Sequence, residues 1–266
     1  LARGAGAAMV AHRPEGLPAD APLLEVADTM EGLRALARAA RARAGARVVA
    51  VTGSVGKTTT KEMLAAMLGA QGCVHAATRS FNNHVGVPLT LARMPADADW
   101  AVIEIGMNHA GEIRPLARLA RPHVAVITTV QAVHLENFDS VAGIADAKAE
   151  ILEGLVEGGA AVLNRDNPWF DRLAGKAAGV RVLSFGEAGA DVRLARATIR
   201  GETTVVETAL GDRPVFCKIG APGLHLAECA IAALGACMGA GADPARAALG
   251  LARWRSEEHT SELQSH

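Results

Sequence analysis

The sequence predicts an α/β fold: a mostly parallel sheet of the P-loop type with helices on both faces. Three observations carry this reading. Short β-branched apolar runs recur along the chain, helical patterns separate them, and one run ends in a glycine loop that opens directly into a helix. Apolar strands that alternate with helices require cover on both sides of the sheet.

The elements follow in order. Residues 1–46 mix Gly, Ala and Pro before a helical pattern from Thr29 to Ala44. Leu33, Leu36 and Ala40 share one face of it, and Arg34, Arg38, Arg41 and Arg43 read as a solvated face. The segment is expected to be the remnant of a preceding domain plus a connecting helix. From Arg47 the alternation begins: strand Val48–Thr52, helix Thr58–Leu68, then buried strands Ala101–Ile105 and Val124–Thr129. A helix from Val141 to Val156 and a strand Ala160–Leu163 come next. Asn167-Pro168 reads as the cap of another helix, and Val180–Phe185 as one more strand. Val205-Val206 and Val215-Phe216 flank Gly211-Asp212, a β-hairpin signature, so 190–218 is expected to be a small antiparallel addition to the same domain. Leu224–Met238 is nearly all small or apolar and reads as a buried helix, and a shorter helix starts after Asp243-Pro244. One central domain is therefore drawn from 47 to 254. Residues 255–266 lose Ala, Gly and every apolar period, and resemble the translation of a sequencing-library adapter, a non-native tail.

Composition limits the function classes. The 266 residues are 50% hydrophobic and 21% charged, with a net charge of −1. That balance supports a globular core and argues against a nucleic-acid polymer or an anionic lipid surface as partner. No apolar stretch approaches the length of a membrane span. Cys73, Cys217, Cys229 and Cys237 form no C-x-x-C pair, and no leader is visible, so four reduced thiols in a cytoplasmic protein are expected.

The stretch from Val48 to Lys61, V-V-A-V-T-G-S-V-G-K-T-T-T-K, holds the strongest signal. Gly53, Ser54, Val55, Gly56, Lys57, Thr58 and Thr59 sit between a strand end and a helix start, where backbone N–H groups and the helix dipole favour an anion. Lys57 can reach outer phosphates and the Thr58 hydroxyl can ligate Mg²⁺. Val51 stands where the longer motif has glycine, so the loop is a shortened variant. Glu104 ends an apolar strand, where a carboxylate needs an ion partner or a bound cation; Mg²⁺ beside a phosphate loop and an ion-paired core glutamate are both open. His134 follows the third strand and Lys148 lies on a helix fourteen positions later. Spacing alone leaves each as structural or functional. Asn82 and Asn83 precede Gly86-Val87-Pro88 and read as ordinary loop chemistry, with Asn164 to Asn167 a turn and cap.

Taken together, T-G-S-V-G-K-T-T-T-K-E-M, S-F-N-N-H-V-G-V-P, E-I-G-M-N-H-A-G-E-I and A-V-H-L-E-N-F-D-S-V-A-G-I-A-D-A-K-A-E resemble the Mur ligase family over residues 1 to 253. The K-E-M and N-H-A-G-E-I strings favour the branch that adds a dipeptide. The resemblance implies an ATP-dependent ligase, made of three domains, that joins D-alanyl-D-alanine to the carboxylate of a UDP-N-acetylmuramoyl-tripeptide in peptidoglycan precursor synthesis. It implies that residues 53–59 wrap the ATP phosphates and that Lys57 lies on the β/γ oxygens. Thr58 and Glu104 would hold one Mg²⁺. His134 would hold a second with Lys148, which is carbamylated in this family. Catalytic roles thus fall on Lys57, His134 and Lys148, and Asn82 and Asn83 would lie near substrate. The reaction so implied transfers the γ-phosphoryl group to the tripeptide carboxylate, and the dipeptide amine then attacks the acyl phosphate.

Two departures stand out. The family's G-x-H-x-x-x-N appears as Gly223-Leu224-His225-Leu226-Ala227-Glu228-Cys229, with Cys229 where an adenine-gripping Asn is expected. The family's C-terminal domain and most of its N-terminal domain are expected to be missing, so this fragment alone should turn over poorly. Another ATP-dependent amide ligase of the same superfamily (a Mur ligase that adds a single amino acid, or a folylpolyglutamate synthase), a small-molecule kinase, and a non-catalytic ATP-binding module are the alternatives.

Overall fold

A computed structural model describes residues 4–133, 135–188 and 191–255. A small parallel pair, β1 (Ala8–Val10) and β2 (Leu23–Glu25), precedes helix α1 (Thr29–Arg43). The main body follows as β3 (Arg47–Thr52), α2 (Lys57–Gly69), β4 (Val74–Ala76), α3 (Gly86–Ala92), β5 (Trp100–Glu104), α4 (Ile113–Ala120) and β6 (Val124–Ile127). It continues with α5 (Val141–Ala149), β7 (Ala160–Asn164), α6 (Phe170–Lys176) and β8 (Arg181–Gly186). β9 (Val192–Arg200), β10 (Thr203–Leu210), β11 (Arg213–Ile219), α7 (His225–Gly239) and α8 (Pro244–Leu251) complete it.

Nine strands form one sheet in the order β11-β10-β9-β8-β7-β6-β3-β5-β4. Pairing is parallel from β4 to β9 and antiparallel among β9, β10 and β11. The strands from β3 to β7 are apolar on both faces, as a sheet buried on both sides requires. Val49 and Val51 of β3 pack with α2, α7 and α8, whereas Val48 and Ala50 pack with α1, α3, α4 and α5. The predicted class therefore holds, and so does the antiparallel addition, although it has three strands rather than two. The arginine-rich β9 carries too weak an alternation to read as a strand, and pairing to β10 defines it.

Several local expectations change. On α1 the buried face is Ala37, Ala40 and Arg41, while Leu36 is exposed. Arg41 is not solvated: its Nε donates to Ala120 O at 2.7 Å and its Nη2 to Arg121 O at 2.8 Å. It thereby serves carbonyls at the end of α4 that the helix cannot satisfy itself. Gly86-Val87-Pro88 is the first turn of α3 rather than a turn between loops, because Asn83 Oδ1 accepts from the N–H groups of Val85 and Gly86. α5 ends at Ala149 and a short 3₁₀ turn, Glu150–Gly154, takes over. Asn167 precedes α6 without capping it; the cap residue is Trp169, whose N–H is accepted by Asn167 Oδ1. The tail expected from an adapter lies outside the described residues from position 256 onward.

Candidate functional site

The site lies at the carboxyl ends of β3, β5 and β6, neighbours in the sheet, where open α/β sheets bind ligands. β3 ends at Thr52, and the loop 53–56 turns the chain into α2. Two glycines make that turn. Gly53 has φ +153° and Gly56 has φ +79°, and a Cβ on Gly53 would collide with Thr128 Oγ1. The N-terminus of α2 therefore faces the loop with no side-chain cap, which leaves its N–H groups available to an anion.

The loop is laced to the end of β6. Ser54 N donates to Thr129 O at 2.9 Å, Gln131 N donates to Ser54 Oγ at 2.9 Å, and Ser54 Oγ donates to Gln131 O at 3.1 Å. Thr128 Oγ1 donates to Val55 O at 2.6 Å. These bonds fix the glycine loop against the segment that leads to position 134. Composition and spacing gave no sign of them.

Lys57 Nζ donates to Gly53 O at 2.8 Å and Ser54 O at 3.3 Å, so its ammonium sits over the loop. Burial lowers its pKa, and the nearby Glu104 carboxylate opposes that shift. Thr58 Oγ1 lies 3.0 and 3.1 Å from the two Glu104 oxygens and 3.1 Å from Ser80 Oγ. Asn82 Nδ2 donates to Glu104 Oε1 at 2.8 Å. Thr58 and Glu104 are thus brought together, with Asn82 beside them.

Glu104 has a further neighbour that sequence reasoning missed. Lys61 is 1% exposed, and its Nζ lies 4.0 Å from Glu104 Oε2. A helix lysine reads as a solvated charge, but Lys61 lies one turn beyond Lys57 and Thr58, on the face toward β5. The two readings of Glu104, core ion pair and cation ligand, meet at one carboxylate.

Lys148 on α5 is 2% exposed. Burial lowers its pKa from 10.5 to about 7, with the Lys57 charge as the lesser cause. Position 134, the other member of the expected pair, lies outside the described residues. Among the described residues no group of three or more His, Cys, Asp and Glu side chains is assembled for a metal. The donors that do converge, one carboxylate and hydroxyl oxygens, are hard oxygen ligands that suit Mg²⁺ completed by phosphate and water.

Cys229 is half-buried: its Sγ lies 3.9 Å from Gly56 O, against the glycine loop. Burial raises its thiol pKa, as it does for Cys217, pushed up to about 12. All four cysteines are free.

A cleft of about 890 Å³ opens beside the loop. Lys57, Asn82, Asn83, His109 and Glu112 line it, and Arg34 and Arg38 of α1 form part of its wall. Two members of the arginine run thus face a cleft, each paired with Glu31. The loop from Gly106 to Glu112 is pinned from α5's end, where Glu150 accepts from Gly111 N at 2.8 Å and Arg114 N at 3.0 Å. No helix among the described residues is long and apolar enough to cross a membrane.

Comparison with known proteins gives a consistent outcome. The model of the Mur ligase middle domain matches residues 51–237. A UDP-N-acetylmuramoyl-tripeptide–D-alanyl-D-alanine ligase of Escherichia coli K12 is 48% identical over 166 residues, which are 62% of this chain and 36% of that protein. The crystal structure of MurF from Acinetobacter baumannii superposes with a TM-score of 0.85 at 29% identity, covering 94% of this chain and 55% of the other. MurF ligase from Thermotoga maritima, solved in complex with ADP, gives a TM-score of 0.81 at 27% identity, covering 96% and 58%. The chain spans about a third to under half the length of the first curated relatives it matches.

Proposed function

The chain belongs to the Mur ligase family of ATP-dependent amide ligases, and from that premise we propose that it is the nucleotide-binding part of a ligase that joins D-alanyl-D-alanine to a UDP-N-acetylmuramoyl-tripeptide. The observation that carries the reading is the junction at β3 and β5: a glycine loop with Lys57 above it, and Thr58 within 3.1 Å of the buried Glu104 carboxylate. The 48% identity to a relative of that name supports this reaction within the family. Residues 47–254 would form the central domain and residues 1–46 the end of a preceding one, with α1 lining the cleft between them.

Each side chain has a physical task. The N–H groups of residues 53–59 hold the phosphates, and Lys57 moves from the loop carbonyls to the β/γ oxygens, an exchange of one set of acceptors for a stronger one. Thr58 and Glu104 would hold one Mg²⁺, and His134 with Lys148 a second. When bound, such ions neutralise charge that develops on the transferred phosphoryl group. Lys148 is suited to carbamylation because a pKa of about 7 leaves much of it as the neutral amine, the form that adds CO₂. The carbamate would be an oxygen donor where a hard cation needs one. Asn82 holds Glu104 in place and, with Asn83, faces the cleft that would take the tripeptide. The setting would be the cytoplasm, where both substrates are soluble.

The test is phosphate release by the gene product expressed in full. Release that requires the UDP-linked tripeptide and D-alanyl-D-alanine together supports the reading. Release with either one absent overturns it.

A further inference from the structure

The cleft contains an acid–base pair that the roles above do not use. Glu112 Oε2 accepts from Asn108 N at 2.8 Å and His109 N at 3.3 Å, which closes the turn before α4. Its other oxygen, Oε1, lies 3.2 Å from His109 Nδ1. One carboxylate oxygen therefore serves the backbone and the other holds an imidazole. The backbone N–H of Asn108 is the leading cause that keeps the Glu112 carboxyl below its usual range, so Glu112 is an anion. An anion at Nδ1 selects the tautomer with the proton there and leaves Nε2 as a proton acceptor.

Packing does not account for the pair. The His109 side chain is 62% exposed and that of Glu112 45%, yet both line the cleft that contains Lys57. The other acid on the wall, Glu31, is committed to Arg34 and Arg38. The turn is also fixed from behind, because Glu150 holds Gly111 N and Arg114 N. The turn starts two residues beyond Glu104, where Gly106 N donates to Asn82 O at 2.8 Å. The pair is thus tied to the same strand end as the phosphate chemistry.

We propose that His109 is the proton acceptor for the amine that attacks the activated carboxylate, with Glu112 as the residue that positions it. The inference rests on the ligase reading above. An α-amino group has an ordinary pKa of about 8, and it must lose a proton as the amide forms. The amine nitrogen attacks the carbonyl carbon of the acyl phosphate, the C–N bond forms, and an N–H proton passes to His109 Nε2. The C–O bond to phosphate breaks with its electron pair leaving on phosphate, and the imidazolium then returns its proton to water.

The test uses two nucleophiles on the full-length gene product. D-Alanyl-D-alanine needs a base; hydroxylamine, unprotonated at neutral pH, intercepts the acyl phosphate without one. His109→Gln is expected to lower amide formation on the order of 100-fold or more, the range for loss of a general base, while hydroxamate formation stays within threefold. Glu112→Gln should lower amide formation about tenfold with hydroxamate again retained. Amide formation within threefold of the parent in His109→Gln overturns the inference, and so does an equal loss of both products. If the unsubstituted enzyme makes neither product, the ligase reading itself has failed, which is a distinct result.

Discussion

The parallel strands β3 and β5 bring Lys57, at the start of the helix after β3, beside Glu104, the last residue of β5, whereas the antiparallel strands β9 to β11 are joined by tight turns at Gly201 and Gly211, both at positive φ. The difference follows from connection geometry. A parallel pair joined by a helical crossover leaves each strand end open into a loop and a helix start on one edge of the sheet, as the ends of β3 to β7 do. A hairpin spends two residues and returns, and it exposes no helix terminus. The candidate site accordingly lies in one half of the sheet, and the other half extends the surface on which α7 and α8 pack.

Substitutions can break this contrast. The largest effect is expected at Lys148. Its folded pKa of about 7 lies below its ordinary 10.5, so folding favours the neutral amine. The cost is full below pH 7 and fades as pH rises toward 10.5. Lys148→Met should therefore raise unfolding free energy by roughly 3–5 kcal/mol at pH 6, from about 1.4 kcal/mol per pKa unit, with the gap closing toward pH 10. Urea titrations at the two pH values check this, and ligase turnover of the full-length protein should be lost. A residue that weakens the fold it sits in is the mark of a working half. Unchanged stability would erase that distinction.

In the antiparallel half the loss should be of stability alone. Thr204 Oγ1 donates to Ala221 O and accepts from Gly223 N, both at 2.9 Å, with no exposure. Thr204→Val leaves both backbone groups unpaired and should cost about 1–3 kcal/mol, read as a lower urea midpoint. The smallest effect is expected at Phe216, 64% exposed on β11. Phe216→Ser should change stability by less than about 0.5 kcal/mol and leave ADP affinity, measured by calorimetry, unaltered. A loss of ADP binding there would place function in the half assigned to support.

Much of this division is legible in the sequence, for a physical reason. β-branched runs and the glycine loop are local signals, and local signals name β3, α2, β5 and β6. What stays hidden depends on partners remote in sequence. Lys61 and Arg41 look like solvated cations until β5 and the end of α4 come to meet them. β4 has three residues, too few for a pattern. Glu150 looks like any helix glutamate, yet it holds the N–H groups of Gly111 and Arg114, almost forty positions away. At the candidate site, Thr58 and Glu104 meet as the motifs imply, but the contact that fixes Asn82 to Glu104 joins residues 22 positions apart and leaves no local signal.

The lacing of the glycine loop to residues 128–131 has a thermodynamic consequence for the proposed function. A loop held by Ser54, Thr128 and Gln131 before any ligand arrives has already surrendered its conformational freedom during folding. Nucleotide capture then loses little further entropy in ordering the receptor, so more of the attraction between phosphate and backbone amides should appear as affinity. Under the proposed function, tightness toward nucleotide would in this sense be decided when β3 and β6 come together in the folding chain.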